Sequence, residues 1–221
     1  MTTDYFSLTR SEIEPLLPPK AQTILDVGSG AGATAAWVKS KYPGSVAVAL
    51  EGNSVLLEQL QHNVDEAHIV DLDGDLPDIG APDLALFLDV LEHLKHPERV
   101  LAQLTAKMPE HGTVIVSVPN VAHLSVSAPL FFKGEFKYRD AGILDRTHLR
   151  FFVLHSAIEL LNSAGFVVTR GLRTGFRGPR TRALDFLTWG TVRNRVTKQF
   201  ILQGRRGPPR PMQAAIAWTC V

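Results

Sequence analysis

The stretch Ile24-Leu25-Asp26-Val27-Gly28-Ser29-Gly30-Ala31-Gly32 limits the fold more than any other part of the chain. Ile24, Leu25 and Val27 form a continuous apolar run, as in a strand buried on both faces. The three glycines after it permit positive φ and close backbone approach, so the chain can turn sharply. Ala33 to Lys41 forms helices well, and the loop therefore delivers a helix N-terminus with its free N–H groups. Strand, glycine turn and helix in that order predict the start of a βαβ unit with a ligand against the glycines.

The same rhythm continues to residue 119. Val46 to Leu50 reads as a second strand ending at Glu51, about 20 residues past the glycines, where an acid can accept hydrogen bonds from ribose hydroxyls. Asn53 or Ser54 caps the next helix, and His68 to Val70 is a short third strand leading to Asp71, Leu72 and Asp73. Leu84 to Leu88 is a fourth strand that runs into Asp89-Val90-Leu91-Glu92-His93-Leu94. Pro97 suits the first turn of a helix reaching about Met108, and the β-branched run Thr113 to Val118 is a fifth strand. Five alternations predict an open parallel sheet with helices on both faces. In such sheets ligands bind beyond the carboxyl ends of the strands, where Gly28 to Gly32, Glu51, Asp71, Asp89 and Asn120 gather.

The glycine loop by itself leaves two nucleotide ligands open. Gly28, Gly30 and Ala33 fit a loose dinucleotide fingerprint, which would make the chain an NAD-dependent oxidoreductase. Against this stand a third glycine at Gly32, Asp26 two residues before the first, and the lack of a Tyr-x-x-x-Lys pair. Asp-x-Gly-x-Gly-x-Gly resembles the first motif of class I S-adenosylmethionine (SAM) dependent methyltransferases, and Asp89-Val90-Leu91-Glu92-His93-Leu94 is similar to the end of the fourth strand in members acting on small molecules. The resemblance covers about residues 20–170 and the terminal strand.

It implies a Rossmann-like, doubly wound α/β fold with a mostly parallel seven-stranded sheet and an antiparallel last strand. It implies SAM as cofactor, with Gly28, Ser29, Gly30 and Gly32 against the methionine and ribose parts and Asp26 near the amino-acid end. Glu51 and Gly52 would face the ribose, Asp71 and Leu72 the adenine with Asp73 in reserve, and Asp89 the crevice. A non-catalytic partner protein that keeps the fold is the other reading the resemblance allows.

Residues 121–152 break the rhythm with six Phe and Tyr residues among charged ones, too long and too aromatic for a plain connector. They read as a lid over a small-molecule pocket. Its Gly142-Ile143-Leu144-Asp145-Arg146-Thr147-His148-Leu149-Arg150-Phe151-Phe152 resembles a recurrent segment in a subfamily of class I methyltransferases associated with glycan or secondary-metabolite pathways. Asp89-Val90-Leu91-Glu92 stands where an aspartate-proline-proline-type amide motif would follow the fourth strand, so a hydroxyl acceptor is expected rather than a nitrogen. Asn120, Tyr138, Arg146 and Arg150 are the substrate candidates. His93, His148 and Asp145 are the catalytic ones, with Asp145 and His148 spaced for an acid–base pair. Glu92, His93 and His96 also raise a metal, but no third ligand stands at a recognisable spacing, so none is expected.

With 221 residues and 45% hydrophobic content, the chain supports one core and one domain, 1–221, with residues 1–20 as a lead-in. The lone Cys220 excludes an internal disulfide, and the absence of a long apolar run or a basic-then-apolar start points to a cytoplasmic protein. The net charge of +1 conceals an asymmetry: residues 170–210 hold eleven of the 23 Lys and Arg but one of the 22 acids. Phe166 to Arg170 is expected as a strand, Ala214 to Val221 as the antiparallel last strand, and 172–212 as a basic insertion between them. Within it Thr181 to Leu202 can be helical, with Trp189, Val192, Val196 and Phe200 on one stripe. Such a helix could lie on an anionic membrane, cover an anionic or lipid-linked substrate, or form a dimer contact. No motif supports nucleic-acid binding.

Overall fold

The computed structural model describes residues 8–175, 192–208 and 216–220. Eight strands form one sheet in the order β3-β2-β1-β4-β5-β7-β6-β8. They are β1 (Thr23–Val27), β2 (Val46–Glu51), β3 (Glu66–Ile69), β4 (Leu84–Leu88), β5 (Thr113–Pro119), β6 (Phe166–Thr174), β7 (Gln199–Arg206) and β8 (Ala217–Cys220). Strands β1 to β5 pair in parallel, β7 runs antiparallel to both β5 and β6, and β8 is parallel to β6. Helices α1 (Ala33–Lys41), α2 (Leu57–Asn63), α3 (Pro97–Lys107), α4 (Leu124–Lys133), α5 (Leu154–Ser163) and the short α6 (Arg193–Val196) connect them.

Alternate residues of each strand bury on opposite faces. Leu25, Val27, Ala85, Phe87, Val114 and Val116 meet Leu101, Leu104 and Leu161 of α3 and α5 on one side. Ile24, Leu84, Leu86 and Ile115 meet Val38 of α1 on the other, with Ile13 and Leu16 from a 3₁₀ turn at Ser11–Leu16. Burial on both faces is why these strands read as continuous apolar runs. The lead-in is therefore part of the second layer, and Ile13 and Leu16 are fully buried.

The strand order reverses between β1 and β4, so the loops leaving these two strands diverge and open a crevice at their carboxyl ends. The expected architecture is present with eight strands rather than seven. The antiparallel strand is β7 at Gln199–Arg206, not residues 214–221, and Ala217–Cys220 is a parallel edge strand instead. The region 172–212 is thus not a plain insertion, because it contributes a central strand. The helix expected over 181–202 stops at Val196, and residues 181–191, including Trp189, lie outside the described residues.

The physical reason lies in Phe200, Ile201 and Leu202. All three are fully buried, with Phe200 and Leu202 in one layer and Ile201 in the other, a demand only a two-faced strand meets. Gly204 lets β7 approach its neighbours, since a Cβ there would stand 3.0 Å from Val114 and 3.1 Å from Phe166. Phe200→Ala should cost about 3–5 kcal/mol, a loss in Tm on the order of 10 °C. Val55→Ala, at a position 84% exposed, should stay within about 0.5 kcal/mol; differential scanning calorimetry of both variants checks the contrast.

Candidate active site

The turn after β1 is tied to β2 through N–H groups of Gly28 and Ser29 that donate to Leu50 O at 2.8 and 3.3 Å. Gly28, Gly30 and Gly32 all have positive φ, at 67°, 57° and 80°. At Gly28 a Cβ would stand 2.5 Å from Val90 Cγ2, so the turn lies flush against the loop after β4. Glu51 supports it from beneath: Oε2 accepts the Gly30 N–H at 2.8 Å and Oε1 the Asn53 N–H at 2.9 Å. Each carboxylate oxygen keeps lone-pair capacity for a further donor, as ribose binding requires. Ser29 Oγ is buried with no hydrogen-bond partner among the described residues, an orphan that a ligand on the loop would satisfy.

Asp26 is almost fully buried, and its carboxylate accepts the Ala35 N–H in the first turn of α1. Burial, with the nearby Glu51 charge, pushes its pKa up to about 7. Gly52 and Asp71 are exposed along the rim, and Leu72 packs on the core beneath it. Asp71 Oδ1 accepts the Asp73 N–H at 3.0 Å, making a local turn. Asp73 Oδ1 takes the N–H groups of Lys95 and His96, at 2.7 and 3.2 Å, and joins this loop to the one after β4. Of the two acids Asp71 is the one not occupied in joining loops.

Asp89 follows β4 directly with φ of 60°, a left-handed conformation uncommon outside glycine. Its N–H donates to Ser117 Oγ at 2.9 Å, and the Ser117 hydroxyl returns a bond to Oδ1 at 2.9 Å. Gln199 Nε2 also donates to Oδ1, and Arg10 pairs with Oδ2. Arg10 reaches Gln199 Oε1 as well, at 3.2 Å. Arg10, Ser117 and Gln199 were not legible as site residues, because they come to Asp89 from 79, 28 and 110 positions away and no local pattern marks them.

The turn Leu91–His93 carries the next group. Glu92 is 1% exposed, and burial together with the charge of Asp89 raises its pKa well above the usual range. His93 and His148 meet edge to face with ring centroids 4.8 Å apart. His148 Nδ1 lies 3.1 Å from Ile143 O, and His93 Nδ1 lies 3.3 Å from Thr147 O. Burial and the His93 charge lower the His148 pKa. The segment that brings His148 here is held by main chain, since the N–H groups of Leu149 and Arg150 donate to Glu92 O at 2.8 and 3.0 Å.

The expected Asp145–His148 pair does not form. Asp145 Oδ1 accepts the Thr147 N–H and hydroxyl, at 2.8 and 2.7 Å, because the intervening residue is nearer than one three positions away in a turn that is not helical. Burial raises the Asp145 carboxyl, these two bonds outweigh it, and the net shift is downward. Asn120 is also committed: Nδ2 donates to Asn194 O and Thr197 O, and Oδ1 accepts the Ala122 N–H. Arg150 bonds to Lys95 O and ties the segment down, while Arg146 pairs with Asp140 at 2.8 Å in solvent. Tyr138 is half exposed beside Phe136 and Phe151. The substrate candidates therefore divide into fasteners, Asn120 and Arg150, and surface groups, Tyr138 and Arg146.

A family model described as a methyltransferase domain matches residues 1–170. Among solved structures, the chain is similar to an S-adenosylmethionine dependent methyltransferase from Mesorhizobium loti, with 15% identity, 88% of this chain and 96% of that one covered, and a TM-score of 0.62. It is also similar to a SAM dependent methyltransferase from Archaeoglobus fulgidus, at 14% identity, 93% and 95% coverage and a TM-score of 0.65. The cyclase SpnF shares the fold at 18% identity, 93% and 80% coverage and a TM-score of 0.60. No curated protein matches the chain.

Asp26 gives the site a pH signature. Its carboxyl is raised from 3.8 to about 7, so the stability it confers is complete below pH 3.8 and lost as pH rises through 7. The loss is at most about 4 kcal/mol. Between about pH 5 and pH 8 the wild-type Tm should therefore fall by more than that of Asp26→Asn, as read by thermal unfolding without ligand.

Proposed function

The chain belongs to the SAM-dependent methyltransferases, with SAM as its cofactor, and on that premise we propose that its acceptor is a small molecule carrying a hydroxyl, in the manner of a glycan or secondary metabolite. The glycine turn held by Glu51, beside Asp89 where the strand order reverses, supports the cofactor site, and the observation that carries the acceptor reading is the aromatic group Phe136, Tyr138 and Phe151 against His148. The residues present fit the cofactor. The orphaned Ser29 hydroxyl and the remaining lone pairs of Glu51 can take the polar groups of its amino-acid and ribose parts, and Asp71, exposed on the rim, is the candidate for the adenine amine.

The family match leaves the NAD-dependent reading of the loop without support. SAM supplies an activated methyl on a sulfonium. Bound there, it would supply the methyl group to the acceptor oxygen, and the hydroxyl proton would have to be taken up. What the chain contributes is placement, worth on the order of 7–11 kcal/mol at best, and help with that proton. Asp89 is fixed by four hydrogen bonds to three side chains, so it reads as the floor of the crevice. His93 and His148 lie one turn beyond it, where the proton would be handled, and Asp145 acts through Thr147 as a positioning residue.

The aromatic stretch Phe136, Tyr138 and Phe151 stands against His148 as the proposed wall for the acceptor. Phe131 and Phe132, exposed by 82% and 79% at the end of α4, extend an apolar surface suited to a lipid-linked or otherwise greasy acceptor. No helix among the described residues is long and apolar enough to cross a membrane.

SAM at about 100 times its Kd should stabilise the protein by about 2.7 kcal/mol in thermal shift. Ser29→Ala should leave the ligand-free Tm unchanged or slightly raised, because it removes an unsatisfied buried group, yet weaken SAM by roughly five- to tenfold in calorimetry. No Tm shift with millimolar SAM would sink the cofactor assignment. Methyl transfer from labelled SAM to hydroxyl-bearing rather than amine-bearing acceptors tests the substrate class.

A further inference from the structure

We propose that Glu92, His93 and His148 form a binding site for one divalent ion of the zinc, manganese, iron and cobalt class. One ligand-capable atom from each of the three lies within 4.8 Å of the others. Bonds of about 2.0–2.2 Å set tetrahedral ligands roughly 3.5 Å apart, so the three need to close by about 1 Å around an ion. One carboxylate and two imidazoles make a donor set that holds such ions on one side and leaves positions open on the other. Sequence spacing set the metal aside for want of a third ligand. His148, 55 positions after His93, is that ligand, and the main-chain bonds of Leu149 and Arg150 to Glu92 O bring it there.

Two further observations point to a ligand rather than to a chance cluster. Glu92 is 1% exposed, and its Oε2 has no hydrogen-bond partner among the described residues. A buried carboxylate oxygen left this way is costly unless a cation or donor takes it. Both histidines also have Nδ1 engaged by protein oxygen, His148 by Ile143 O and His93 by Thr147 O and Oγ1, which leaves each Nε2 with a lone pair to offer. Thr147 is in turn held by Asp145. Supporting groups behind each ligand are the arrangement that orients imidazoles toward a metal. Among the described residues, the other histidine–acid pairs have no third member: His96 with Glu98 and His155 with Glu159 are more than half exposed, and His68 stands 3.8 Å from Glu66.

The ion would lie beside Asp89 at the crevice, where it would polarise an acceptor hydroxyl and so ease its proton loss, replacing the direct proton handling by His93 and His148 whose Nε2 atoms it would occupy. That role rests on the methyltransferase reading of the site; binding of the ion does not.

The test uses the full chain stripped with a chelator and titrated with Co²⁺ or Zn²⁺. One Co²⁺ per chain should bind with visible d–d absorption. Glu92→Gln and His148→Ala should each weaken it by more than the 10–100-fold typical of losing a supporting group. His155→Ala should leave binding unchanged. His148→Cys should keep the ion and add a sulfur-to-cobalt charge-transfer band, an outcome a merely structural histidine cannot give and one that still reads if His148→Ala fails to fold. Absence of saturable binding in the wild type, survival of full affinity in both Glu92→Gln and His148→Ala, or its loss in His155→Ala would overturn the proposal. SAM binding, measured on the same chelated protein, separates the two claims: SAM without Co²⁺ removes the metal site alone, and Co²⁺ without SAM removes the cofactor reading alone.

Discussion

The whole crevice depends on how closely the turn after β1 lies against the turn after β4. Gly28 has no side chain, and the first atom of one would collide with Val90. That contact sets the distance between the loop carrying Ser29 and the loop carrying Asp89, Glu92 and His93. The other restraints follow from it: Leu50 O and Glu51 hold the glycine turn from the β2 side, and Asp73 holds the loop after β4 from the β3 side. Main-chain N–H groups are the donors in nearly all of these bonds, so the frame is fixed before side-chain chemistry enters.

Asp89 shows how charge is then arranged on that frame. A carboxylate with positive φ at a strand end is strained, and it persists because the surroundings determine it from several sides. Arg10 from the lead-in, Ser117 from β5 and Gln199 from β7 each supply a donor. Three distant parts of the chain thus converge on one acid, while Glu92, three residues on, keeps an oxygen without a partner among the described residues. Satisfaction next to deprivation within one turn is the electrostatic pattern of a site built for a ligand.

Sequence carried far where structure is local. The glycine turn, Glu51 at the end of β2 and the sequence after β4 were legible because each is a short run with its own conformational demand. What stayed hidden was set by long-range pairing. Val192, Val196 and Phe200 fit a helical stripe, yet Phe200, Ile201 and Leu202 are buried on both faces of a strand, and periodicity cannot tell these apart over so few residues. His148 as a neighbour of His93 was invisible for the same reason, and Asn120 read as a substrate contact when its amide is spent on Asn194 and Thr197.

The placement of β7 also bears on how the chain comes off the ribosome. Strand β5 ends at Pro119, but the strand that pairs with its outer edge does not begin until Gln199. At synthesis rates of about 5–20 residues per second, roughly 4–16 seconds separate the two. For that interval the nascent protein presents Val114, Ile115 and Val116 along an unpaired edge, the kind of surface to which other unfinished chains adhere. That edge is closed only when Gln199–Arg206 arrives to pair with it.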